Sequence, residues 1–183
     1  MDAHDRDSRA VPTETPRRRW HWSFDIALAA VVFLGLQWWL TRDVVRGTVP
    51  ALAAPFIEAS SASLADWHAG AGRDGYVLYV WATWCSVCKV IEGSVDDVAR
   101  DIPVLTLAMK SGSVDAVRGE LAKRNLHWPT LVDASGALSK GLGVDAVPTL
   151  IFVDRRGVVH SVTQGYTTEL GIRARLWWAR RGH

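Results

Sequence analysis

The chain changes texture three times. Residues 1–19 are polar and mixed in charge, end in Arg17-Arg18-Arg19 and show no recurring apolar position. That pattern predicts a disordered arm. Ile26 to Leu40 is then apolar except at Gly35 and Gln37 and holds no charge. Counted from Trp20 to Leu40 the stretch has 21 residues, interrupted by His21, Ser23, Asp25 and Gln37. About 20 helical residues cross ~30 Å of hydrocarbon, so 20–41 predicts a single transmembrane helix. Trp20 and Trp22 at one end and Trp38 and Trp39 at the other match the aromatic belts of a span. A buried soluble helix fits less well, because the segment is apolar all round and follows an arginine triplet. Ala51, Ala53 and Ala54 offer a signal-peptidase site. They lie well beyond the apolar stretch, behind Arg42, Asp43 and Arg46, so an uncleaved anchor is expected.

Five arginines precede the span and two, Arg42 and Arg46, follow it closely. This bias predicts a cytoplasmic N-terminus and an outward-facing remainder. In a Gram-negative bacterium that means a single-pass inner-membrane protein with a periplasmic domain. Residues 42–66 hold Pro50, Pro55, six alanines and several serines and predict a partly extended periplasmic linker with one short strand at most. Residues 69–75 read as a loop.

From 67 to 183 the pattern is that of a packed domain. Tyr76–Trp81 is a buried strand by its β-branched and aromatic run. Val87, Val90, Ile91, Val95 and Val98 recur at spacings of three and four, predicting a helix over 85–100. Strands are expected at 103–109, 128–133 and 149–153, with helices at 114–121, capped by Ser113, and at about 135–141. Asp154-Arg155-Arg156-Gly157 predicts a tight hairpin turn into a strand over 158–163. A last helix over 167–180 has Leu170, Arg173, Leu176 and Trp177 in register and is expected to pack one of Trp177 and Trp178 on the sheet, the alternative being contact of that pair and Arg173, Arg175, Arg180 and Arg181 with lipid headgroups. Strands and helices in this order make an α/β domain with a mixed sheet.

Composition narrows the functions. With 183 residues, 49% hydrophobic and 22% charged, the chain can build a core. A net charge of +2 gives no reason to expect nucleic acid as a partner. There are only two cysteines, at 85 and 88. Two cannot form a disulfide scaffold or a four-cysteine zinc site. The six histidines form no pair at ligand spacing, so neither a metal site nor any other cofactor is expected. The periplasm is oxidising, and what remains is one local dithiol where a strand ends and a helix begins. Free N–H groups and the helix dipole stabilise a thiolate at that point. Cys85 is therefore the candidate nucleophile. Cys88, one turn on, can close a Cys85–Cys88 disulfide and resolve a mixed disulfide.

Trp81-Ala82-Thr83-Trp84-Cys85-Ser86-Val87-Cys88-Lys89 resembles the active-site segment of the thioredoxin superfamily, and Val147-Pro148-Thr149 resembles its cis-proline. The stretch 130–157 is similar to membrane-anchored proteins of the TlpA/ResA kind. The tail from Gly165 through Trp177 resembles the suppressor-for-copper-sensitivity D proteins, which are protein disulfide oxidoreductases. The resemblance implies a thioredoxin fold, an exposed nucleophile Cys85, a buried resolving Cys88 and a cis Pro148 against them. It implies that Trp84, Val147 and Thr149 meet the substrate. An extended substrate can pair with the Val147 backbone.

Three positions depart from the pattern. Tyr79 stands where many thioredoxins carry a buried Asp, Ile91 where many TlpA-like reductases carry a Glu, and Gly93 where many members carry a kinking proline. Glu92 is adjacent but one residue further round the helix, so no base for Cys88 is evident. Ser86-Val87 between the cysteines lacks the histidine of strong oxidants, which favours a reducing role. The expected activity is thiol–disulfide exchange with periplasmic protein thiols and disulfides, fed by a membrane electron-donor protein. Two alternatives stand beside it: a Cu(I)-binding dithiol in copper tolerance, and a thiol reductase in cytochrome c maturation.

Overall fold

The computed structural model describes residues 18–50, 54–57 and 64–181. The expected arm lies outside these up to residue 17. Helix α1 runs Arg18–Thr41, covering the segment predicted to span. Among the described residues no helix is long and apolar enough to cross a membrane. The part of α1 with described side chains is 24–39, about 24 Å at 1.5 Å per residue. Its apolar side chains, Ile26, Val31 and Leu34 among them, are exposed. Residues up to Leu36 form a unit of their own, and Gln37 onward forms the other.

The second unit is built on strands β1 (Phe56–Ile57), β2 (Tyr76–Trp81), β3 (Val104–Met109), β4 (Thr130–Asp133), β5 (Thr149–Val153) and β6 (Val159–Gln164). They form one sheet in the order β1-β4-β3-β2-β5-β6. β2, β3 and β4 are mutually parallel, while β5, β6 and β1 run antiparallel to their neighbours. The central strands are buried on both faces, which is why they read as unbroken apolar runs rather than alternating ones. On one face Val77, Tyr79 and Trp81 pack with α3 (Ser86–Ala99), α4 (Val114–Lys123) and α6 (Glu169–Arg181). On the other, Leu78, Val80, Leu105 and Ile151 pack with Val44, with Trp67 from α2 (Leu64–Ala69) and with Leu142 and Val144 beyond α5 (Ala137–Gly141). Every strand and helix expected from 76 onward is present within three residues of its expected ends.

Two expectations fail. The described parts of the stretch expected to be a linker, 42–50 and 54–57, hold the one short strand allowed for, but they are docked and not slack. Val44 is 4% exposed in the core. The Val45 N–H donates to Leu142 O (3.0 Å), Val49 N–H to Gly157 O (2.8 Å), and Gly47 O accepts from Val159 N–H (2.8 Å). β1 pairs with β4. These partners lie some hundred residues away in sequence, so no local signal marks them. Gly143, at φ +69°, makes the approach possible: a Cβ there would meet the Asp43 carbonyl carbon at 2.7 Å and the Val44 Cα at 3.0 Å. The second failure is in α6. Its buried residues are Ile172, Leu176 and Ala179. Leu170, Trp177 and Trp178 all face solvent, so neither tryptophan packs on the sheet.

Candidate functional site

The parallel strands β2 and β3 end at the same edge of the sheet, and the chain turns there into α3. Cys85 is the N-cap of α3, in extended conformation (φ −84°, ψ 109°), and its Sγ accepts from the Cys88 N–H at 3.0 Å. One helical turn thus aligns the two sulfurs, and they form a disulfide with Cα atoms 5.3 Å apart. Cys85 is 6% exposed and Cys88 1%, so Cys85 is the outer of the pair. The Val147–Pro148 peptide is cis. Val147 packs against the core cluster that contains both cysteines.

The loop before Cys85 is fastened to the residues that follow β3. The Thr83 N–H donates to Ser111 Oγ (3.1 Å), whose hydroxyl donates to Met109 O (3.0 Å). The Trp84 indole N–H donates to Lys110 O (3.1 Å), while its ring stays 60% exposed. Lys110 has φ +46°, a conformation unfavourable for a side-chain-bearing residue, and its N–H is held by Asp133 O (2.8 Å). Beyond Trp84, Val87 (43%) and Val90 (68%) are exposed apolar side chains in the first turns of α3, next to the cysteines in sequence.

Thr149 is placed otherwise than expected. It is fully buried, and its hydroxyl donates to Ala146 O at 2.7 Å. Its backbone pairs with Val80 and Gln164. It therefore shapes the turn that carries Val147 and Pro148 and offers no surface to a substrate.

Beneath the loop is a charged group that the sequence reading left unassigned. Arg124, at the end of α4, binds Glu92 of α3 (2.8 Å) and Glu120. Its guanidinium also donates to Thr83 O at 3.5 Å and lies 6.0 Å from the Trp81 ring. The Arg124 side chain is 12% exposed, Glu92 23% and Glu120 24%. Burial works against the Arg124 charge, but the hydrogen bonds and charges of Glu92 and Glu120 raise its pKa overall. The Arg124 hydrogen bond holds the Glu120 carboxyl below the usual carboxylate range. Tyr79 takes the place of the thioredoxin aspartate. Burial pushes its phenol far above the ordinary range, the Glu92 charge adds to this and Arg124 opposes it, so the group stays a neutral phenol at pH 7. Its ring meets Trp128 edge-on, centroids 5.8 Å apart. Sequence order does hold one clue to Ser111 and Lys110: residues following two adjacent parallel strands must meet at one sheet edge. Arg124 carries no such clue.

Among the described residues no group of three or more His, Cys, Asp and Glu side chains is placed to hold a metal. His160 is exposed, and Trp128 is buried at the entry to β4, its indole N–H on Asp96 (3.1 Å).

Comparison with known proteins agrees with this geometry. A thioredoxin-like protein of Haemophilus influenzae is 29% identical over 104 residues, 56% of this chain and 62% of that protein. The thiol:disulfide interchange protein DsbE of Yersinia pestis is 33% identical over 90 residues, 48% of each chain. This chain thus matches about half to two thirds of the length of these relatives. In structure, a putative thiol:disulfide interchange protein DsbE from Chlorobium tepidum superposes with a TM-score of 0.62 at 19% identity, covering 75% of this chain and 99% of that one. That likeness establishes the thioredoxin fold. The AhpC/TSA family model matches residues 45–162, a span that runs from the docked segment through the disulfide and the cis-proline turn into β6. Well over half of the chain is thereby accounted for, and it belongs to the AhpC/TSA family.

Proposed function

We propose that this chain is a thiol–disulfide oxidoreductase, anchored by α1 in the bacterial inner membrane, that exchanges disulfides with periplasmic proteins and runs mainly in the reducing direction. The observation that carries the reading is the Cys85–Cys88 disulfide at the N-cap of α3, with the exposed side chains of Trp84, Val87 and Val90 beside it in sequence. A helix start stabilises a thiolate at Cys85. That thiolate attacks one sulfur of a substrate disulfide, forming a mixed disulfide and releasing the substrate's other sulfur as a thiolate. Cys88 then attacks Cys85 Sγ, the substrate's remaining sulfur leaves, and the Cys85–Cys88 disulfide forms. Two electrons pass to the substrate, and its two thiolates take up protons from solvent. A membrane electron donor returns the pair to the dithiol.

Trp84 and the Val147 backbone are the substrate contacts in this reading, Pro148 keeps an N–H away from the sulfurs, and Thr149 positions that turn. Relatives bearing the name thiol:disulfide interchange protein support the activity. The arginine bias and apolar stretch of 20–41 support the anchor and its orientation. A finer placement with the suppressor-for-copper-sensitivity D proteins rests on the tail, 165–177.

The test is equilibration of the full chain with glutathione or dithiothreitol, together with a Cys88→Ala variant. A potential near about −250 mV or lower and a trapped mixed disulfide are expected. A potential near −120 mV would reverse the direction of flow. Failure to trap any thiol partner would sink the exchange reading.

A further inference from the structure

Among the described residues from 42 to 181, the large exposed apolar side chains fall in two stretches of chain: Trp84, Val87 and Val90 beside the cysteines in sequence, and Tyr166 (67%), Leu170 (77%), Trp177 (51%) and Trp178 (65%). Helical geometry makes the second patch a stripe: Leu170, Ala174, Trp177, Trp178 and Arg181 recur at steps of four, three, one and three residues on the side of α6 opposite Ile172, Leu176 and Ala179. Tyr166, three residues before the helix begins, is exposed as well. Singly exposed apolar residues are unremarkable, but a contiguous stripe marks a contact surface.

Charge selects what covers it. α6 carries Arg173, Arg175, Arg180 and Arg181 against a single acid, Glu169. Arg173 takes up Glu169 (2.8 Å) and the facing Asp101 (2.7 Å). Arg175 bonds only its own helix, at Gly171 O (3.1 Å). Arg181 lies 3.6 Å over the Trp177 ring. Neither Arg175 nor Arg181 has a carboxylate partner among the described residues. A second copy of the chain would set these cations against themselves. Tryptophan and arginine side by side suit the headgroup level of an anionic bilayer, where indole sits at the interface and guanidinium meets phosphate.

We propose that the outer stripe of α6 docks on an anionic lipid surface. The proposal rests on the reading of α1 as a bilayer anchor. Val44, three residues after α1 ends at Thr41, packs on the sheet face opposite α6, so the tether does not select the stripe; its exposed indoles and its guanidinium groups without a carboxylate partner do.

The full chain tests this on vesicles of phosphatidylcholine alone and of phosphatidylcholine with 30% phosphatidylglycerol. Each is prepared with and without the shallow quencher 6,7-dibromo-phosphatidylcholine. Subtracting the emission of a Trp177→Ser/Trp178→Ser variant isolates the pair. Flotation on both vesicle types is expected, with the pair's emission at least halved by bromolipid on the anionic vesicles. An Arg175→Gln/Arg181→Gln variant is expected to recover most of it. Flotation on both with no quenching of the pair overturns the α6 surface and keeps the anchor. Flotation on anionic vesicles alone, lost in the double-serine variant, keeps the surface and removes the anchor. Flotation on neither overturns both. Quenching-free emission that instead shifts with protein concentration identifies a second copy as the occupant and overturns the lipid assignment.

Discussion

Trp84 and the Trp177–Trp178 pair are exposed to a similar degree, but they are attached to the fold in opposite ways. The Trp84 indole is bonded to the Lys110 carbonyl, on a loop fastened through Ser111 and backed by Arg124. Trp177 and Trp178 lean on each other at 6.4 Å and on Arg181, with no hydrogen bond from their indoles among the described residues. An exposed ring held in one orientation suits a partner of defined shape, because the cost of ordering it has already been met in the free protein. Rings free to choose rotamers suit a surface that deforms. Exposure alone does not separate these roles; the hydrogen bond does.

The largest expected effect follows from removing the held ring. Trp84→Ala should lower kcat/KM for a protein disulfide by about 30-fold, the scale of an interface hot spot of ~2 kcal/mol. Trp84→Phe keeps the ring and loses the bond to Lys110, and should cost about 5-fold, the worth of one hydrogen bond of ~1 kcal/mol. Measured against a small disulfide such as oxidised glutathione, both losses should shrink. An equal loss with the small substrate would mean that the tryptophan supports the sulfurs instead of the partner, and the contrast with α6 would fail.

How much of this site is legible in the sequence depends on how local its determinants are. Cys85, Cys88 and Trp84 stand within one strand–turn–helix, so periodicity and helix-end chemistry place them. Pro148 is found because Val147-Pro148-Thr149, opening a strand downstream of the cysteines, resembles the superfamily's cis-proline. Thr149 shares that strand, but strand position does not tell a surface hydroxyl from one turned onto Ala146 O. Arg124 is harder still. It is one of many arginines, and only the folded arrangement of α3 against α4 sets it between Glu92 and Glu120. The docked pieces 42–50 and 54–57 are the extreme case, since prolines and alanines read as slack until elements distant in sequence supply partners. In α6 the period was legible but the phase was not: Leu170 and Ile172 both suit a buried helix face, and only the sheet decides between them.

Arg124 tests the support beneath the held ring. Arg124→Met removes the partner of two partly buried carboxylates. The cost should be about 2 kcal/mol, less than for a fully buried pair because Glu92 and Glu120 keep some water. That corresponds to a melting temperature lower by about 4–8 °C. Exchange with a protein substrate should also slow, because the Thr83 carbonyl loses its donor. Acid should reveal the same support. Glu120 titrates below its ordinary value in the folded chain, so its contribution is present above the unfolded carboxylate value of ~4.3 and fades as pH falls through the lower folded value. Thermal melts between pH 6 and 3 should show this slope in the wild type and a flatter one in Arg124→Met. Equal slopes would place the acid sensitivity elsewhere.

Gly143→Ala reaches the site from the other side. The new methyl group carries a left-handed backbone and meets Asp43 and Val44, so the segment after α1 must lift. Strain of ~1–2 kcal/mol at φ +69° is expected, together with greater proteolytic sensitivity around 42–50. Val144, in the core, and Val147, at the disulfide, lie just beyond Gly143, so a smaller loss of exchange activity should accompany it, below that of Trp84→Ala.

The smallest effect completes the contrast. Trp177→Ser/Trp178→Ser changes two exposed side chains that no hydrogen bond ties to the described residues of the domain. Surface changes of that kind stay within about ±0.5 kcal/mol, so the melting temperature should move by no more than about 2 °C. Exchange with a soluble protein disulfide, measured in detergent, should stay within about 2-fold of wild type. The comparison is decided by this null result as much as by the large loss at Trp84. If the double variant slowed soluble exchange as Trp84→Ala does, both patches would belong to one polypeptide-binding surface. The hydrogen bond to Lys110 would then mark stability alone. If soluble exchange is untouched, the two exposed aromatic patches serve different partners, and what distinguishes them is whether the fold fixes the ring before the partner arrives.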